Sequence, residues 1–180
     1  KDIDAYERFI QQLELSSIQK VIFISSTSVY SVSNSVVSEE TKTVNTPLLE
    51  IENLFRENTY FETTIIRFAG LFGPGRHPGS WFKNGKKISQ PNGFVNMIHQ
   101  EDCIEIIHEI IDQNCWNTTF NACSNDHPTR KEFYINARKS LNFDSPVFEE
   151  NPQLRYKIIS SKKLQKSLGY QFIHDNLLEI

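Results

Sequence analysis

The sequence predicts an α/β fold built on a mostly parallel sheet, and three observations predict it. The runs "KVIFIS", "ETTIIRFAG" and "TTFNAC" are short, continuous and apolar, without polar alternation. That is the composition of strands buried on both faces. Between them lie segments whose apolar residues recur at three- and four-residue steps, as on helices. Strand-like and helix-like segments alternate along the chain, which favours parallel strands joined by helices. With 180 residues, 38% of them hydrophobic, the chain is long enough to bury a core.

The elements follow in order. "DIDAYERFIQQLEL" sets Ile3, Tyr6, Ile10 and Leu13 on one helical face. "KVIFIS" is a buried strand. The polar stretch from there to Pro47, with Glu39 and Glu40, reads as a long loop. Proline opens "PLLEIENLFREN", a helix from Pro47 to about Asn58. The strand in "ETTIIRFAG" ends near Phe68, and "LFGPGRHPG" breaks regular structure. "GFVNMIHQEDCIEIIHEIIDQN" gives a short strand and a helix capped near Gln100 to Asp102. The strand "TTFNAC" and the helix "PTRKEFYINARKSLN" follow. "YKIIS" is a strand and "SSKKLQKSLGY" a helix stopped by Gly169. The last residues form another helix or a tail.

Composition narrows the function. A formal net charge of -3 gives no global case for binding nucleic acid or a membrane surface. Cys103, Cys115 and Cys123 form no CxxC pair, so reduced thiols in the cytoplasm are expected rather than a disulfide framework or zinc site. No apolar stretch reaches the roughly 18 residues of a membrane span. "NTT" at Asn117 is read as a chance sequon. Lys1 stands where an unprocessed chain would carry methionine, so a fragment or processed chain is expected.

The strand "KVIFI" empties into "SSTSVYSVSNS", a row of hydroxyls from Ser25 to Ser35 that includes Tyr30. In open parallel sheets ligands sit outside the carboxyl ends of the strands. By itself, such a row also serves to cap a strand end and a turn. "VIFISSTSVY" resembles the fifth strand and exit loop of the extended short-chain dehydrogenases/reductases, the NAD-dependent epimerase/dehydratase family. "IIRFAGLFGPGR", "FVNMIHQEDCIEIIHEII", "FNACSNDHPTRKEFY" and "KIISSKKLQKSLGYQF" resemble that family's later segments in the same order. "LLEIENLF" looks closest to an atypical branch. The resemblance covers about residues 3 to 173, the carboxyl-terminal portion of such a protein.

The resemblance implies the second half of a Rossmann-like sheet in residues 1–72. It implies a substrate-binding subdomain in 73–180, with a return segment at about 94–123. It makes Ser26 a catalytic candidate that orients a substrate oxygen, with Tyr30 beside it. Ser25, Phe68, Ala69 and Gly70 become cofactor-binding candidates. Arg76 would bind an anionic substrate group, since a guanidinium suits one. NAD or NADP is the implied cofactor and a small polar molecule the substrate. A homodimer or a missing amino-terminal half is the implied partner. No nucleic acid or membrane partner is expected.

Two departures stand out. The family's tyrosine is followed four residues on by lysine, which lowers the phenol pKa. Here Asn34 follows Tyr30 and Thr64 follows Tyr60 at that spacing. No glycine-rich phosphate loop occurs either. "GPGRHPG" matches in letters only, because Pro74 and Pro78 stop it opening a helix. Weak or absent cofactor binding is therefore expected of this chain alone. A non-catalytic relative and an inactive truncated product stay open as alternatives.

Other groups read more plainly. His99 and Asp102 have metal-like spacing without neighbouring ligands in sequence, so no metal is expected, and Asp102 or a neighbour caps the helix. His108 is a surface histidine and Cys103 a core cysteine. The segment with Arg76, His77, Lys83, Lys86 and Lys87 is either a phosphate grip or a solvated flap.

Overall fold

The computed structural model describes residues 2–82, 85–150 and 153–179, which leaves Lys83 of the basic segment outside the described residues. Helix α1 (Ile3–Glu14) leads to strand β1 (Lys20–Ser26), and a short β2 (Val36–Val37) precedes α2 (Pro47–Arg56). Then come β3 (Glu62–Phe68), β4 (Gly70–Phe72), β5 (Met97–His99), α3 (Gln100–Asp112) and β6 (Thr119–Ala122). The chain continues through α4 (Arg130–Ser140), β7 (Ile158–Ile159) and α5 (Lys162–Leu168).

The predicted fold class is the observed one. Strands β1, β3 and β6 form a parallel sheet in the order β1-β3-β6. Successive side chains on a strand point to opposite faces. Phe23 and Arg67 therefore face α2, while Ile66 and Phe68 face α3. On the α2 side, Phe23 stacks on Phe55 at 4.6 Å and Tyr6 of α1 meets both rings edge-on. On the α3 side, Ile66, Ile106 and Ile110 are fully buried. Burial of such aliphatic side chains stabilises the fold by about 1.5–3 kcal/mol each. A second, smaller apolar cluster gathers Phe72, Ile88, Val95, Met97, Phe133 and Tyr134 around α4.

Helix ends follow their local chemistry. Asp2 accepts from the Ala5 amide and Thr46 from the Leu49 amide, with Pro47 at the start of α2. Thr129 and Glu132 form a reciprocal capping box on α4. Gly169 ends α5 in the left-handed region at φ 65°.

Some expectations are corrected. The polar loop before Pro47 is not structureless, since β2 pairs with β7 from the far end of the chain. The glycine- and proline-rich stretch begins with a strand, β4, paired with β5. The cap of α3 is His99, whose Nδ1 accepts from the Glu101 amide, and not Asp102. Asp102 is instead wholly buried and turned towards the carboxyl-terminal tail. Beyond α5 the described tail forms no further helix.

Candidate functional site

The carboxyl end of the sheet is set by register. Ser25 pairs with Arg67, Ser26 with Phe68, and Phe68 in turn with Ala122. Neighbouring strands stand about 4.8 Å apart. The hydroxyl row and the segment Phe68 to Gly70 are therefore adjacent, although some 40 residues separate them in sequence.

Past the strand end the chain enters a short 3-10 turn, Thr27–Val29. Ser26 caps it, its Oγ accepting from the Ser28 amide at 3.1 Å. The Ser26 hydroxyl hydrogen is left to donate elsewhere. Ser25 points to the opposite face and donates to Glu52 Oε1 at 2.5 Å. The Ala69 amide donates to Ala122, and Gly70 lies against β5, where a Cβ would stand 2.6 Å from Met97 Sδ.

An apolar cavity of about 220 Å³ opens beside this edge, lined by Ile24, Phe68, Leu71, Ile104 and Ile107, with Arg76 at its wall. Arg76 is held by its Nε bond to the Leu71 carbonyl and by the Trp81 ring beneath its guanidinium at 5.4 Å. The structure thus gathers Ser26, Phe68, Ala69, Gly70 and Arg76 along one edge.

Tyr30 and Ser25 belong to a different arrangement, inside the protein. Arg67 forks onto Glu52 through Nε and Nη2, and its Nη1 donates to the Tyr30 hydroxyl at 2.6 Å. That hydroxyl donates on to Asn121 Oδ1 at 2.9 Å. Tyr30 is only 3% exposed. Burial pushes its phenol above the ordinary range, and the Arg67 charge only partly opposes this. Its hydroxyl does not face the cavity. Lys157 also reaches the loop, donating to the Thr27 and Tyr30 carbonyls at 2.9 and 2.6 Å. Burial lowers its pKa.

Sequence reasoning missed Glu52, Arg67, Asn121 and Lys157. The signal for Glu52 was present: it shares the buried stripe of α2 with Leu48, Ile51 and Phe55. A carboxylate there needs a partner. Arg67 is the one cation in an otherwise buried strand. Lys157 and Asn121 reach the loop only through long-range contacts that no local pattern encodes. Cys103 is buried and its thiol is pushed up to about 12 by that burial. His108 is exposed beside Glu105.

No protein-family model matches the sequence. The chain is 30% identical over 176 residues to Protein YeeZ of Escherichia coli (strain K12), covering 94% of this chain and 64% of that protein. It therefore spans less than two thirds of the length of this curated relative. A solved structure described as an NAD-dependent epimerase/dehydratase from Methylobacillus flagellatus matches with a TM-score of 0.80 at 23% identity, covering 98% of this chain and 67% of the other. The structure of RMD from Pseudomonas aeruginosa complexed with NADPH matches with a TM-score of 0.77 at 14% identity, covering 96% and 69%. The fold is thus the one that the sequence motifs resemble, that of the extended short-chain dehydrogenases/reductases.

Proposed function

We propose that this chain, which has the fold of NAD-dependent epimerase/dehydratase proteins, forms part of an NAD(P)-dependent oxidoreductase of the atypical extended type. Its substrate is a sugar nucleotide or another small polar molecule. The observation that carries the reading is the Ser26–Phe68 register at the carboxyl end of parallel strands, beside the cavity walled by Arg76. The site's residues fit the reactive half of a nicotinamide cofactor. The apolar ring of Phe68 suits a flat ring, and the Ser26 hydroxyl has a free proton to give. Bound NAD or NADP would supply hydride transfer.

In this reading Ser26 orients the substrate oxygen, Arg76 meets an anionic group, and the apolar walls disfavour water. Tyr30 does not touch substrate. It holds Arg67, which fixes the strand end from behind. A second reading is favoured by that burial of Tyr30: a non-catalytic relative that binds a nucleotide or protein partner through the same edge.

The test is nicotinamide turnover by the full-length protein across a panel of nucleotide sugars, with NAD and with NADP. Ser26→Ala should lose about 2.7–4 kcal/mol of transition-state stabilisation, a drop of 10²–10³ in kcat. Undiminished turnover in Ser26→Ala sinks the catalytic role. Nucleotide binding without any turnover favours the second reading.

A further inference from the structure

A cluster of ligating side chains lies away from the Ser26 edge, where the tail crosses the start of α3. His99, Glu101 and His174 each offer one donor atom, and these atoms all lie within 4.8 Å of one another. From this convergence we infer that His99, Glu101 and His174 form a binding site for a divalent transition-metal ion such as zinc.

The donor set is right for such an ion. Two imidazoles and one carboxylate are borderline ligands that zinc accepts, with solvent filling the remaining position. The donors are also pointed inward by the structure around them. His174 Nε2 and Glu101 Oε2 already meet at 2.7 Å. A proton sits between two lone pairs that would otherwise converge on a cation. The His99 ring stands 3.6 Å from the His174 ring, centroid to centroid, and Phe72 holds its other side edge-on at 5.1 Å. His99 Nδ1 accepts from the Glu101 amide, so ligation through Nε2 requires the ring proton to move to Nδ1 and that cap bond to open.

The third ligand is what sequence spacing could not supply. His174 arrives from 73 positions beyond Glu101. It is delivered by Asp102, which accepts the Ile173 and His174 amides at 2.7 and 3.2 Å and the Tyr170 hydroxyl at 2.8 Å. That carboxylate is wholly buried, so the tail position is defined rather than floppy. Donors on one tetrahedral zinc stand about 3.3 Å apart. Closing from 4.8 Å asks for about 1 Å of side-chain movement. The side chains of His174 and Glu101 are 37% and 56% exposed and free to make it. A bound ion would clip the tail to α3.

The experiment is calorimetric titration of the full chain with zinc ions alone, in parallel with thermal unfolding. The expected result is one saturable site and a rise in Tm with added zinc, since a ligand of the native state stabilises it. His174→Ala and His99→Gln should each weaken binding by at least about 10-fold and abolish the rise in Tm. His108→Ala, at an exposed histidine outside the cluster, should change neither. If His174→Ala unfolds the tail, His99→Gln still decides, because it leaves the Asp102 contacts in place. Cobalt in place of zinc should give the visible bands of a four-coordinate site in wild type only. No saturable binding, or binding equal in wild type and both cluster variants, overturns the inference.

Discussion

Among the described residues two carboxylates are wholly buried, and they are held in opposite ways. Glu52 on α2 is neutralised. Arg67 forks onto it, Arg56 adds a bond at 3.0 Å, and Ser25 donates as well. Asp102 on α3 meets no lysine or arginine among the described residues. Two backbone amides and one phenol satisfy it instead. The comparison separates two solutions to one problem. A buried charge must be paired or fully hydrogen-bonded. Pairing with arginine lets Glu52 organise side chains around a strand end. Bonding to amides lets Asp102 organise a stretch of backbone that has no secondary structure of its own.

The comparison breaks hardest at Arg67. Arg67→Met should cost up to about 3–5 kcal/mol, because the buried Glu52 then keeps only the 40% exposed Arg56 as counter-charge. Chemical denaturation with an unchanged m-value checks it. Adding Glu52→Gln to that variant should recover part of the loss, since the under-compensated buried charge is then gone. A double variant no better than the single one would mean that shape, and not charge, holds the network.

Asp102→Asn probes the other solution. The two tail amides lose a charged acceptor, each such bond contributing about 1.5–3 kcal/mol. Amide exchange at Ile173 and His174 should speed up by about 10- to 100-fold, while exchange in β3 stays slow. Equal acceleration in β3 would show that the tail is part of the global unit.

Tyr30→Phe and Tyr170→Phe sharpen the contrast at lower cost. Tyr170 donates to a charged acceptor and Tyr30 to a neutral amide. Tyr30 also accepts from the Arg67 guanidinium, so each loss should approach about 1.5–3 kcal/mol. If Tyr30 carries chemistry, its phenylalanine variant loses turnover; with the hydroxyl packed behind the strand, turnover should survive.

The smallest effect is on pH dependence. Both phenols are raised above their usual pKa by burial, Tyr170 further by its bond to Asp102. Their contribution to stability is complete below the unfolded value of about 10 and is lost as pH rises through the folded values. Tyrosinate absorbance should therefore show a late phase above the free-phenol value of about 10, reduced in Tyr30→Phe and Tyr170→Phe. Simultaneous ionisation would contradict their burial.

Much of this was legible in the residues. Continuous apolar runs announced β1, β3 and β6, and an opening proline announced α2 and α4 to within a turn. The edge where Ser26 meets Phe68 followed from the rule that ligands gather at strand carboxyl ends. What stayed hidden depends on partners distant in sequence. Glu52 and Arg67 look like ordinary surface charges until the helix stripe and the strand are laid face to face. The cap of α3 was left to Asp102 or a neighbour, aspartate being the better capping residue in general. The tail's open amides outbid that preference, and His99 took the cap.

The Asp102 anchor also has a consequence for the order in which the chain assembles. Ser25, Glu52 and Arg67 lie 27 and 15 positions apart, so their network can close soon after β3 is made. Asp102 waits for amides 71 and 72 positions further on. During vectorial synthesis the amino-terminal side of the sheet can therefore settle first. The start of α3 stays hydrated, with its carboxylate facing water, until the tail arrives to seal it.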